Sequence, residues 1–442
     1  MANDELTPTL AAEIGQAVVT CSDAKRVVVG RDTRTSGPML EAAAVAGLLS
    51  AGANVWQIGI VPTPVLAFLT KELRADAGIM ITASHNPPQY NGLKIFNADG
   101  MAYDMKSQDK VEETIGRRQF RMADWADVGR SEQRDESRLY AEAVYRKVKL
   151  RRKWHVVVDP GCGATYRLAP QILKSLGCKV TTLNAQPDGY FPARSPEPNA
   201  ESLRPLAEVV KDFGADTGIA FDGDGDRAAF IDEKGILADF DQTLAAYAAH
   251  VAKQRTGAVV VTNVEASMSI EKMVEQHHGT VVRTKVGDVY VSEEMKKREA
   301  VFGGEPCGAW IHPQLHYCPD GILTSALLLK ALEEEGTEMS EFVAQAPAYP
   351  TVRKNIACKN TEKDRIMKRL GESLKAAFPD RRETSNIDGV RIELEKGWML
   401  VRASGTEPMI RLTVEAESLR TANKIMEKGT ILVRKLVKEE AE

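Results

Sequence analysis

Residues 25–60 read KRVVVGRDTRTSGPMLEAAAVAGLLSAGANVWQIGI. The run 25–30 is apolar and rich in valine, so it reads as a buried strand, and RDTRTSGP after it reads as a loop. Residues 38–51 are rich in Ala, Leu and Met and read as a helix, while 53–60 return to strand character. A Pro-punctuated loop and a further helix then lead to a third apolar run at 79–81. Strand, helix and strand in succession imply a mostly parallel sheet covered by helices.

The pattern restarts twice. Residues 155–159 form a strand followed by the Gly-rich turn PGCGAT, a helix, and a strand at 179–183. Residues 257–262 lead through a helix to 279–284 and another helix from about 289. Three related α/β units are therefore expected, although identity among them is too low to establish a repeat. After Pro350 the pattern changes to a charged helix at 361–377, strands at 389–394 and 398–402, and a last helix at 416–438. That is a separate, small α+β domain. A chain of 442 residues also exceeds what one hydrophobic core organises.

Composition narrows the function. Hydrophobic content of 43% and charged content of 27% are those of a soluble globular protein. The net charge of −4 argues against nucleic-acid binding, which needs a basic face. Neither a signal peptide nor an apolar run of about 18 residues is visible, so no membrane partner is expected and the location reads as cytoplasmic. The six cysteines form no CxxC pair and read as free thiols.

In open α/β sheets ligands collect at the carboxyl ends of strands, and four loops lie beside such ends. The first, 82–94, carries TASHNPP. A polar turn accounts for Ser, Asn and Pro there. So does a nucleophile on a loop stiffened by proline, since serine often serves as a phosphoryl carrier. The second is DGDGDR, where Asp222, Asp224 and Asp226 alternate with glycine and can converge on one hard cation. Three like charges this close are costly without one. An EF-hand would need Gly where Arg227 stands, and 228–231 reads as a strand, so that alternative fails. The third, GGEPCGAW, presents Glu305, which can accept from sugar hydroxyls; a structural turn also fits. The fourth, RASGTEPMIR at 402–411, combines arginine, hydroxyls and Gly-freed amides into a nest for a phosphate dianion. Taken together, the four loops point to phosphoryl transfer on a phosphorylated sugar.

TASHNP at 82–87, DGDGDR at 222–227, GGEPCG at 303–308 and RASGTEP at 402–408 resemble, in order and spacing, the four signature loops of the α-D-phosphohexomutase superfamily. GRDTR at 30–34, VPTP at 61–64 and RTKVGD at 283–288 add to the match. The resemblance implies a four-domain architecture around a central cleft, with α/β domains at 1–140, 141–240 and 241–350 and an α+β domain at 351–442. It implies that Ser84 is a phosphoserine that gives its phosphate to the sugar. The resulting bisphosphate reorients and returns its other phosphate to the serine, and a sugar bisphosphate serves as activator. One Mg²⁺, held by Asp222, Asp224, Asp226 and phosphorylated Ser84, would neutralise the developing charge. His85 and Lys94 would steady the transferring group or shuttle protons, with Arg227 and Lys285 as further active-site cations. Glu305 and Cys307 would face the sugar. Arg402, Ser404, Gly405, Thr406 and Arg411 would hold the phosphate not being transferred.

Members of the superfamily usually open with a strand resembling FGTxGIRG, whose arginine reaches the active site. MANDELTP resembles the residues just after it, so a sheet edge with exposed backbone groups is expected in the first domain. The sugar loop departs from the GEMSGH form of phosphomannomutase/phosphoglucomutases. GGEPxGxW with TASHNPPxYNG is closer to the archaeal phosphoglucosamine mutase branch, which implies glucosamine 6-phosphate and glucosamine 1-phosphate as substrates. A phosphomannomutase/phosphoglucomutase and a non-catalytic sugar-phosphate-binding paralogue are the alternatives. The partner is a phosphorylated hexose or hexosamine, and the oligomeric state stays open, a dimer being one option. Trp56 and Trp154 read as packing residues, His277-His278 as a helix C-terminal cap, and KLVKEEAE as a solvated helix end.

Overall fold

The computed structural model describes residues 1–404 and 407–441. Gly405 and Thr406 of the expected phosphate loop therefore lie outside the described residues.

The first unit contains β1 (Arg26–Arg31), β2 (Asn54–Ile60), β3 (Ala77–Ile81), β4 (Leu93–Asn97) and β5 (Ser131–Gln133), in the order β4-β3-β1-β2-β5. The second contains β6 (His155–Asp159), β7 (Lys179–Thr182), β8 (Thr217–Phe221) and β9 (Ala228–Ile231), ordered β7-β6-β8-β9. The third contains β10 (Val259–Asn263), β11 (Thr280–Thr284), β12 (Phe302–Gly304) and β13 (Trp310–Ile311), ordered β11-β10-β12-β13. In all three the first strand lies between the second and third in parallel pairings, and the fourth joins the third antiparallel. This common order is the relation that sequence identity alone does not reveal. β3 and β8 are buried along their whole length, as parallel strands covered on both faces should be.

The fourth unit is antiparallel throughout: β14 (Thr351–Ala357), β15 (Glu383–Ser385), β16 (Val390–Leu394), β17 (Gly397–Ala403) and β18 (Met409–Ala416), in the order β14-β18-β17-β16-β15. The α/β plus α+β division read from the sequence is thus what the chain adopts. Phe68, Trp154, Phe221 and Phe302 belong to one apolar cluster that runs through the first three units. The fourth has its own core, in which Ile366, Leu370 and Leu374 pack against Val401, Leu412 and Val414.

At the edge of the first sheet, the Asn97 N–H donates to the Met101 carbonyl and the Tyr103 N–H to the Ile95 carbonyl, each at 2.8 Å, so part of β4 is already paired. Trp154 is buried with its indole N–H on Glu333 (2.9 Å), and Trp56 is flanked by Arg26 and Arg134. His278 takes φ 56° just past the helix Ser269–Glu275, in keeping with a cap. At the chain end Lys435 and Glu439 are exposed, as a solvated helix end should be, and Arg369 pairs with both Glu439 (2.6 Å) and Glu440 (2.9 Å) on its surface. No helix among the described residues is long and apolar enough to cross a membrane.

Candidate active site

Three of the four chemical loops occupy the same topological slot. The serine loop joins β3 to β4, the aspartate loop joins β8 to β9, and the Glu305 loop joins β12 to β13. Each leaves the carboxyl end of a third strand and returns antiparallel. The fourth loop is the turn between β17 and β18.

Ser84 sits at φ 50°, a left-handed conformation that costs a non-glycine residue energy. Its surroundings impose it. Arg34, fully buried, donates to the carbonyls of Ser84 (2.8 Å), Asn86 (2.6 Å), Pro87 (2.6 Å) and Tyr90 (3.0 Å). Asp32 accepts from Arg34 Nε (3.0 Å) and from the Thr82 hydroxyl (2.7 Å), which in turn accepts the Ser84 N–H (2.9 Å). Burial pushes the Asp32 carboxyl up to about 6, and Arg34 only partly offsets this. The Ser84 hydroxyl donates to Asp222 Oδ2 at 2.7 Å and lies 3.3 Å from His85 Nδ1. Burial, with Arg227 nearby, lowers the pKa of His85 and favours its neutral form.

Asp222, Asp224 and Asp226 are buried, and one oxygen from each lies within 4.8 Å of the others. Asp222 Oδ1 accepts the N–H groups of Gly225 (3.0 Å) and Arg227 (3.2 Å). Asp224 Oδ2 accepts the Thr63 hydroxyl at 2.6 Å. Lys94 Nζ bridges Asp224 (2.9 Å) and Asp226 (2.8 Å). Asp224 Oδ1 and Asp226 Oδ1 are buried without a hydrogen-bond partner among the described residues. Orphaned, oxygen-only acceptors at this spacing fit a hard divalent cation. Burial and the other two aspartates push Asp222 well up. Burial opposes ionisation of Asp224 too, but Lys94 and the Thr63 hydroxyl outweigh it and hold that carboxyl well below the usual range.

Glycine lets these loops touch. A Cβ on Gly223 would lie 2.5 Å from the Ser84 carbonyl oxygen. Gly308, at φ +86°, would place one 2.2 Å from the Ala228 carbonyl oxygen. The Glu305 loop accordingly rests on the aspartate loop, with Ala228 N–H donating to Gly308 (3.1 Å). Glu305 is buried, and its Oε1 accepts from Asn263 Nδ2 (2.7 Å) and the Gly287 N–H (2.8 Å). Burial pushes the Cys307 thiol up to about 12, which keeps it neutral.

In the fourth unit Arg402 pairs with Glu265 and with Asp388 (3.4 Å), and Arg411 pairs with Glu407 (2.5 Å). The Ser404 hydroxyl accepts the Glu407 N–H at 3.1 Å. The structure thus gathers Ser84, His85, Lys94, the three aspartates and Arg227 around one point, sets Glu305 and Cys307 beside them, and groups Arg402, Ser404 and Arg411 separately. Lys285 is exposed, with its ammonium 5.4 Å from the centre of the Tyr290 ring. Sequence reasoning assigned no role to Asp32, Arg34, Thr63, Asn263, Glu265, Arg353 or Asp388. The GRDTR and VPTP motifs marked the first three without saying what they hold.

Models of the phosphoglucomutase/phosphomannomutase α/β/α domains I, II and III match residues 1–122, 138–235 and 239–349, and the C-terminal domain matches 354–430. The chain belongs to the α-D-phosphohexomutase superfamily. The resemblance drawn from the signature loops is borne out. A probable phosphoglucosamine mutase from Methanococcoides burtonii is 46% identical over 94% of this chain and 92% of its own length. The phosphoglucosamine mutase of Methanocaldococcus jannaschii is 42% identical over 97% and 96%. Among solved structures, a phosphoglucomutase/phosphomannomutase family protein from Burkholderia thailandensis superposes with a TM-score of 0.88 at 30% identity, covering 97% of this chain and 94% of that one. The phosphohexomutase family therefore accounts for the chain over nearly its whole length.

Proposed function

We infer that this phosphohexomutase is a phosphoglucosamine mutase that interconverts glucosamine 6-phosphate and glucosamine 1-phosphate in the cytoplasm. The observation that carries the chemistry is the Ser84 hydroxyl, 2.7 Å from Asp222 within a buried carboxylate cluster that has orphaned oxygens. The choice of amino sugar rests on the near-full-length relatives that bear that name.

Ser84 carries the phosphoryl group. A sugar hydroxyl attacks the phosphorus, the bond from phosphorus to the serine oxygen breaks, and a sugar bisphosphate forms. After reorientation the serine oxygen attacks the other phosphate, the bond from that phosphorus to the sugar oxygen breaks, and the phosphoserine is restored as the product sugar leaves. His85, neutral between steps, relays a proton from the attacking oxygen to the leaving one. The proton passes from the sugar hydroxyl to the departing Ser84 oxygen in the first transfer, and from the Ser84 hydroxyl to the departing sugar oxygen in the second. Lys94 and Arg227 supply positive charge to the moving phosphoryl oxygens. Mg²⁺ held by Asp222, Asp224 and Asp226 would neutralise charge on the same oxygens. Glu305 and Cys307 face the sugar, while Arg402, Ser404, Gly405, Thr406 and Arg411 hold the resting phosphate. Lys285 is read as a further cation of the site.

The test compares rates on glucosamine, mannose and glucose 1-phosphates, with sugar bisphosphate and Mg²⁺ present. Glucosamine 1-phosphate is expected to be fastest; a clear preference for mannose would make the protein a phosphomannomutase instead. Intact-mass analysis should find one phosphate on the wild type and none on Ser84→Ala.

A further inference from the structure

Arg353, Arg402 and Arg411 line one small cavity, of about 110 Å³, on a single face of the fourth sheet. Arg402 lies directly opposite Arg411 across β17 and β18. Like charges so placed are destabilising unless anions sit among them. Here the anions are carboxylates from three separate segments: Glu407 on Arg411, with Glu265 and Asp388 on Arg402. Glu265 reaches across from the third unit.

Both residues paired with Arg402 connect onward to Glu305, Glu265 through its backbone and Asp388 through its carboxylate. The Glu265 N–H donates to Asn263 Oδ1 (2.8 Å), and the Asn263 amide donates to Glu305 (2.7 Å). Asp388 Oδ2 accepts the Val286 N–H (3.2 Å), and the next N–H, that of Gly287, donates to Glu305 (2.8 Å).

We propose that Glu265 and Asp388 are resident competitors for the phosphate that Arg402 holds. They neutralise the arginine when phosphate is absent and take it back each time phosphate leaves. The proposal rests on the mutase reading above, in which a bisphosphate must release this clamp and reorient within the protein. A guanidinium–phosphate contact is charge-assisted and often bidentate, so an arginine with no other anion in reach would release it slowly. Exchanging one anion for another lowers that cost. The connections to Glu305 also couple occupancy of the clamp to the loop that faces the sugar. Glu265 and Asp388 act through Arg402 and are positioning residues.

The test uses the full chain, with inorganic phosphate as the probe. Glu265→Gln and Asp388→Asn keep the side-chain shape and remove the charge. Each is expected to lower the inhibition constant of phosphate and the KM for sugar phosphate by roughly tenfold, while kcat falls because release slows. A merely structural ion pair would leave the inhibition constant unchanged or raise it, and that result overturns the proposal. If Glu265→Gln does not fold, Asp388→Asn carries the same expectation. Calorimetric phosphate binding to Ser84→Ala, with and without each second change, reads the competition free of turnover. Tighter phosphate binding in the variants of a protein that turns over no sugar phosphate would retain the competitor and retire the mutase.

Discussion

Thr63 shows how much one hydroxyl can decide. Its Oγ1 and its N–H both end on Asp224, fixing the middle aspartate of DGDGDR from the start of the helix Thr63–Glu72, 161 residues away. With Lys94 it keeps Asp224 ionised, while burial and the neighbouring charges press Asp222 towards the protonated form. Removing that charge should therefore stabilise the metal-free protein. Asp222→Asn is expected to melt above the wild type in chelator. If the cluster holds Mg²⁺ as proposed, Mg²⁺ at about a hundred times its Kd should raise wild-type stability by about 2.7 kcal/mol and leave the variant unmoved. Thermal unfolding with and without Mg²⁺ measures both. Ser84 and the three aspartates were legible in the sequence because each chemical group is complete within a short contiguous stretch. Thr63, Asp32 and Arg34 were not, because a hydroxyl or a buried ion pair acquires its meaning from a partner that only the fold supplies.

At the scale of elements, the sharpest constraint is the approach of the aspartate loop to the serine loop. Gly223→Ala should push the two apart, since a Cβ there meets backbone rather than a side chain that can swing away. A displacement near 1 Å at a reacting centre costs about a hundredfold in rate, so kcat should fall by about that factor. Far-UV circular dichroism should be unchanged, because no strand depends on this contact. The strands that the sequence locates, such as β1, β6 and β10, are largely buried and stand out as apolar runs. β5 (SEQ) and β14 (TVRKNIA) escaped it. Their residues are mostly exposed, and pairing with β2 and β18 rather than their own pattern makes them strands.

At the scale of the molecule, the first three units share a core and the fourth does not. The apolar contact between third and fourth is small, built on Val264, Trp398 and Leu400 and surrounded by ion pairs such as Arg402–Glu265. Polar junctions of this kind couple domains weakly. Calorimetry of the full chain should therefore show two unfolding transitions, the smaller from the fourth unit; one cooperative transition would contradict this division.

Three sheets with one strand order in a single chain also pose a sorting problem while the protein folds. Like units are the ones that exchange or mispair. The chain answers with junctions that differ in chemistry. A threonine hydroxyl and a lysine meet aspartates between the first and second units, and backbone groups of residues 227, 228, 308 and 309 pair between the second and third. A unit docked in the wrong place finds no partner for its buried carboxylates. The aspartates are all carried by the second unit, but the hydroxyl and the ammonium that pair with Asp224 and Asp226 come from the first. A nascent chain should therefore satisfy those carboxylates only after the two units have docked.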